Sequence, residues 1–91
     1  MKLKEHDCVV LTADLPEVNL RAGDVGTVVH IHNRGEAFEV EFVTLGGQTV
    51  AIATALAAQV RPVTKYDLTH VRPFVEPVAA AVHEKRAKYT A

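Results

Sequence analysis

The stretch Leu20-Arg-Ala-Gly-Asp-Val-Gly-Thr-Val-Val-His-Ile-His32, followed after a short gap by Glu36-Ala-Phe-Glu-Val-Glu-Phe-Val43, reads as a tight turn leading into two strands of a small β-barrel. In the second of these runs Phe38, Val40 and Phe42 alternate with Ala37, Glu39, Glu41 and Val43. Side chains on a strand point to opposite faces in turn, so the first set is expected in a core and the carboxylates in water. Over Val25 to His32 the expected interior face is Thr27, Val29 and Ile31, with Val28, His30 and His32 opposite. Asn33-Arg34-Gly35 between the two runs tolerates positive φ and suits a hairpin loop.

Working outward, Asp7-Cys-Val-Val-Leu-Thr12 is a short β-rich run that stops near Pro16, which lacks a backbone donor and fixes φ. Ala13 to Asp24 carries Pro16, Asn19, Gly23 and Asp24, all turn formers, and reads as a long packed loop. In it Leu15, Val18 and Leu20 are placed to cover one mouth of a barrel. Gly46-Gly47 turns the chain into a fourth strand, Gln48 to Ala53. Thr54 to Ala58 suits one helical turn before a closing strand from Gln59 to Val63, where Pro62 fits an edge. The expected fold is mainly β, a five-stranded SH3-like (KOW-like) barrel over residues 1–63.

After Val63 the pattern changes. Thr64 to Glu76 has no steady period and contains Pro73, and reads as an extended arm. Pro77 suits the first position of a C-terminal α-helix, and Val78 to Tyr89 consists almost wholly of good helix formers, with Val78, Ala81, Val82, Lys85 and Tyr89 on one stripe. Such a helix is not stable alone at this length, so residues 64–91 are expected to form a packing or oligomerisation tail. Its expected contacts are Tyr66, Leu68, Val71, Phe74, Val75, Val78, Val82 and Tyr89. The arm can reach roughly 40 Å, further than a small barrel is wide, which favours a homo-oligomer.

The bulk composition agrees with a supplemented small domain. Ninety-one residues bury a limited share of their surface, and with 48% hydrophobic but 5% aromatic residues and no Trp the core must be aliphatic. Association between copies is one way to add to it. Cys8 is the single cysteine, so an internal disulfide is excluded; with no signal-peptide pattern a cytoplasmic location is expected. No apolar run approaches the ~20 residues of a membrane span. The net charge of −1 hides a body (1–63) with five basic and eight acidic residues and a tail (64–91) with five basic and three acidic. The opposed signs allow the two parts to dock on each other, within or between copies.

No group of residues spells a catalytic centre. His30 and His32 share a strand face near His6 and Cys8, but the strongest zinc spacings are absent, so neither metal nor cofactor is expected. Cys8, beside Asp7 and Val9-Val10, is expected to be a small buried thiol rather than a nucleophile. Glu36, Glu39 and Glu41 suggest a solvated face or a patch for a basic partner. Gly23-Asp-Val-Gly26 precedes a strand instead of opening a helix, so it is a turn and not a phosphate loop. Arg21, Arg34 and Arg61 are few and lack interleaved aromatics, which makes nucleic acid a minor alternative.

The runs Val9 to Glu17, Leu20 to Val29, Phe38 to Phe42 and Val60 to Val63 together resemble a small bacterial family, domain of unknown function 4926, over about the first two thirds of the chain. The resemblance implies an SH3-type barrel. Some members are encoded beside toxin or nuclease-like partners, which implies an antitoxin or immunity role as one alternative. The Gly-Asp-Val-Gly-Thr-Val piece is also similar to the turn of KOW barrels, which implies an RNA- or ribosome-associated factor as another. No catalytic residue carries across, and the tail lies outside the family pattern. The expected function is a non-enzymatic protein-interaction module with tail-mediated self-association.

Overall fold

The alternation of Phe38, Val40 and Phe42 organises the interior: these side chains are 3%, 0% and 3% exposed. The computed structural model describes residues 2–76, and within them the chain is mainly β. Its strands are β1 (Cys8–Leu11), β2 (Val25–His32), β3 (Ala37–Val43), β4 (Thr49–Leu56) and β5 (Val60–Pro62). They form one antiparallel sheet in the order β4-β3-β2-β1-β5, curled in a barrel-like way around an aliphatic core. Val9, Leu11, Val28 and Val40 are its most completely buried large side chains, each worth about 1.5–3 kcal/mol relative to exposure. The C-terminal helix expected from Pro77, with Val78, Val82 and Tyr89, lies outside the described residues.

The long first loop packs as expected. A 3₁₀ turn over Pro16–Val18 and a bridge between Leu15 and Leu20 fold it back on itself, so that both leucines join the core and Val18 packs against it. In the following turn Gly23 has φ +97°, a conformation in which a Cβ is strained. Gly26, in β2, is needed for a different reason: a Cβ there would lie 2.5 Å from Val40 Cγ1 and 2.8 Å from the Glu41 carbonyl oxygen. At this one position β2 lies too close to β3 for a side chain.

Three expectations need correction. In β2 the expected interior face of Thr27, Val29 and Ile31 holds only for Ile31. The pairing runs Val28 with Val40 and then His30 with Glu39, so Val29 is an extra residue in a bulge. Val28 is fully buried before it, Val29 is 37% exposed, and Ile31 packs against the core after it. One inserted residue exchanges the two faces of a strand, which a strict period-two reading misses.

β4 runs on to Leu56, and the helical turn is Ala57–Gln59 instead of Thr54 to Ala58. Alanine is the best helix former, yet Ala51, Ala53 and Ala55 here sit opposite Phe42, Val40 and Phe38, where small side chains leave room for the phenylalanines. Ala55 is 0% exposed. Cys8 is the third correction: it is exposed, because β1 turns Val9 and Leu11 into the core.

The hairpin between β2 and β3 uses positive φ at Asn33 (48°), Arg34 (61°) and Gly35 (105°), as its residues suggested. β5 is an edge strand of three residues ending in Pro62. The other edge, β4, has eight residues and no charge. Ala57 N–H donates to the Glu36 carbonyl on the β3 side, whereas Leu56 N–H turns away and donates to Gln59 Oε1. By antiparallel alternation Thr54 and Ile52 also aim their backbone groups off the sheet.

Candidate functional site

Two clusters of polar groups stand out, one where the arm meets the first loop and one on the outer face of the sheet. The first grows from the turn that the Gly23-Asp24 pair makes. Asp24 Oδ2 accepts from Arg21 N–H at 2.8 Å, which fixes its carboxylate. Arg72 of the arm then grips that carboxylate with both arms of its fork, Nε to Oδ1 at 3.0 Å and Nη2 to Oδ2 at 2.5 Å. Arg72 Nη2 also donates to the Asn19 carbonyl at 3.0 Å. Asn19, held at φ 58°, extends its own side-chain amide to the Val75 carbonyl at 2.9 Å.

Between these polar contacts Phe74 packs against the core cluster. The paired side chains of Arg72 and Asp24 are 20% and 19% exposed, so the ion pair is largely shielded from water. Burial pushes the Asp24 carboxyl up, but the Arg72 guanidinium and the Arg21 amide outweigh it and hold the group below the usual carboxylate range. Up to Glu76, therefore, the arm runs back over its own barrel.

The arm is also fixed where it leaves the sheet. Arg61 donates to both carboxylate oxygens of Asp67, at 3.0 and 2.8 Å, and Asp67 accepts from the Thr64 backbone N–H at 2.6 Å. The Arg61 fork, with that backbone donor, holds the Asp67 carboxyl well below its ordinary value. Beside and between the two anchors apolar side chains face water: Tyr66, just before Asp67, is 81% exposed, Leu68 and Val71 are 92% and 71% exposed, and Val75 beyond the second anchor is 65% exposed. Of the expected tail contacts among the described residues, only Phe74 lies against the core.

On the outer face, Glu39 accepts from Thr54 Oγ1 at 2.6 Å and meets His32 Nε2 at 2.8 Å. The Thr54 hydroxyl and His32 together keep the Glu39 carboxyl below its ordinary value. His30 and His32 share this face, their rings in an edge-on contact at 4.6 Å. Glu41 accepts from Thr49 Oγ1 at 2.6 Å. These carboxylates are tied down by hydroxyls from the neighbouring strand β4.

His6 and Cys8 are not brought together with His30 and His32 into a ligand set: among the described residues no group of three or more His, Cys, Asp or Glu side chains is placed to hold a metal ion. Cys8 instead borders a shallow depression with Leu3, Asp7, Pro62 and Val63. Gly23 to Gly26 forms a turn and a strand start, as read from the sequence. Sequence reasoning missed Asn19, Asp24 and Arg72 as a unit; the one hint was the opposite charge of body and tail. Among the described residues no helix is long and apolar enough to cross a membrane.

A search of curated proteins and of solved structures finds no match to the chain. A family profile does match, over residues 5–62, the span that holds all five strands and the long first loop. On that match, covering more than half of its length, the chain belongs to the family described as domain of unknown function (DUF4926).

Proposed function

We propose that the protein is a non-enzymatic interaction module, an SH3-like barrel that self-associates through its tail. The SH3-like reading is supported by the strand order, the long packed loop after β1 and the 3₁₀ turn directly before β5. The non-enzymatic reading is supported by the use of Glu39 and Glu41 as hydrogen-bond anchors of the outer face. The observation that carries self-association is the apolar display on the arm. Tyr66 beside the first anchor, Arg61 with Asp67, and Leu68 and Val71 between it and the second, Arg72 with Asp24, are held out into water. Ordering exposed apolar side chains costs entropy that only a covering surface returns.

Light scattering on the full chain and on the Leu68→Ser/Val71→Ser variant tests this. A mass above the monomer that falls in the variant is expected; a monomeric mass for both disproves tail-driven assembly. A version ending at Val63 should likewise be monomeric.

A second reading, an antitoxin or immunity protein, is supported by the acidic outer face of Glu39 and Glu41 beside the uncharged β4 edge, a combination suited to a basic partner. Stoichiometric co-purification of a protein encoded nearby would favour it. A KOW-like role has less support, because the Arg61 guanidinium is already bound to Asp67.

A further inference from the structure

The barrel side of the arm contact has the properties of a peptide-binding site. Asp24 is fixed in advance by the Arg21 amide, so it presents both carboxylate oxygens to a planar fork. Asn19 directly follows the 3₁₀ turn over Pro16–Val18, in a left-handed conformation that supplies two groups at once. Its carbonyl accepts from the arginine, and its side-chain amide donates to a main-chain carbonyl three residues further along the bound segment. An apolar surface between them takes an aromatic ring. Nothing in this set depends on the segment being covalently joined to the barrel.

We propose that Asn19, Asp24 and the adjoining apolar surface form a docking site for an extended segment of another protein. That segment carries an arginine followed two residues later by an aromatic, and the chain's own Arg72–Val75 occupies the site as a built-in competitor. The barrel's excess of acidic residues suits a basic segment. Leu68, Thr69, His70 and Val71, which lead into the docked segment, are all exposed, so among the described residues of the arm Phe74 is the apolar side chain that has to leave the core when the segment peels away. A second copy's arm is the less suitable occupant. It offers the same contacts as the tethered arm, whose effective concentration is on the order of millimolar. A different segment with additional contacts can overcome that advantage, and the arm then sets a threshold that only a tight partner passes.

The site is separate from the exposed face of the arm, so this proposal and self-association fail independently: one is read by peptide binding, the other by mass. The test uses the full chain and a fluorescent peptide with the sequence of residues 69–76. Anisotropy should show saturable binding to the Arg72→Ala/Phe74→Ala variant and about tenfold weaker binding to the unaltered chain, where the arm competes. Adding Asp24→Asn to the opened variant should weaken binding about tenfold, as should a peptide with lysine in place of its arginine.

Amide NMR spectra confirm that each variant keeps the barrel. If the double variant does not, the single Arg72→Ala chain replaces it. Adding peptide to the opened variant, where Asn19 has lost its arm contacts, should also shift the Asn19 side-chain amide resonance. Absence of saturable binding to a folded opened chain, or binding indifferent to Asp24→Asn, overturns the proposal. A dimer of the unaltered chain that is lost on Asp24→Asn would make the occupant a second copy and overturn it as well.

Discussion

The barrel and the arm are held by different physics. The barrel is a continuous apolar cluster in which Val9, Leu11, Val28 and Val40 have no appreciable contact with water. The arm from Thr64 to Glu76 is held at discrete points, among them two ion pairs, the hydrogen bonds to both ends of Asn19 and the Phe74 ring. An apolar core is cooperative, because each side chain it loses loosens the packing of its neighbours. Point contacts can open one at a time while the rest of the molecule stays folded. The difference suits a stable platform carrying a releasable strap.

Changes in the barrel should therefore unfold the whole molecule. The largest effect is expected from Leu11→Ala, 1% exposed in the core, at about 2–5 kcal/mol, read as a lowered urea midpoint shared by the barrel and the arm. If the arm's signals persisted after the barrel's were lost, the distinction would be reversed. Gly26→Ala comes next. A Cβ 2.8 Å from a backbone oxygen cannot be relieved by a rotamer change, and overpacking of this kind costs about 1–3 kcal/mol. The same change at Gly23 meets no atom within 4 Å, so its cost comes from backbone strain at φ +97° alone.

Changes at the latch should stay local. Arg72→Ala removes a fork from a carboxylate that is four-fifths shielded, and is expected to weaken arm docking by about 1.5–3 kcal/mol. Faster hydrogen exchange near Val75, with the β3 amides unchanged, is the expected reading. The latch should also respond to acid. Because the folded Asp24 carboxyl lies below its ordinary value of 3.8, its contribution to docking is complete above that pH and is lost as the pH falls through the lowered folded value. An acid titration followed at the Arg72 Nε–H resonance should show this loss, and Asp24→Asn should abolish the dependence. The smallest effect is expected at the hairpin: Arg34→Gly relieves a φ of 61°, a gain of about 1–2 kcal/mol that glycine's entropy offsets by about 0.5–1 kcal/mol, so a small net rise in melting temperature is expected.

The sequence discloses the two regions unevenly for the same reason. β3 was legible because Phe38, Val40 and Phe42 alternate without interruption, and the loop from Ala13 to Asp24 because its leucines and turn formers act locally. The bulge at Val29 was not, since the residues from Thr27 to His32 carry no bulge signal and only pairing with β3 shows which one is surplus. The alanines of β4 concealed a strand behind helix propensity, because their role is to make room for phenylalanines on another strand. For the latch, the opposed charges of body and tail indicated that docking was possible. They did not single out Arg72 and Asp24, whose meeting depends on how the turn at Gly23 aims a carboxylate.

The long uncharged margin at β4 also bears on how the molecule behaves in crowded solution. Most sheets blunt such a margin with lysine, proline or brevity, and β5 does so with three residues and Pro62, but β4 carries none of these from Thr49 to Leu56. Its outward backbone groups form a template on which any passing extended chain can nucleate another ribbon. Fibre formation after partial melting is accordingly expected to begin at this margin, and Ile52→Lys, on an exposed side chain, is expected to slow it.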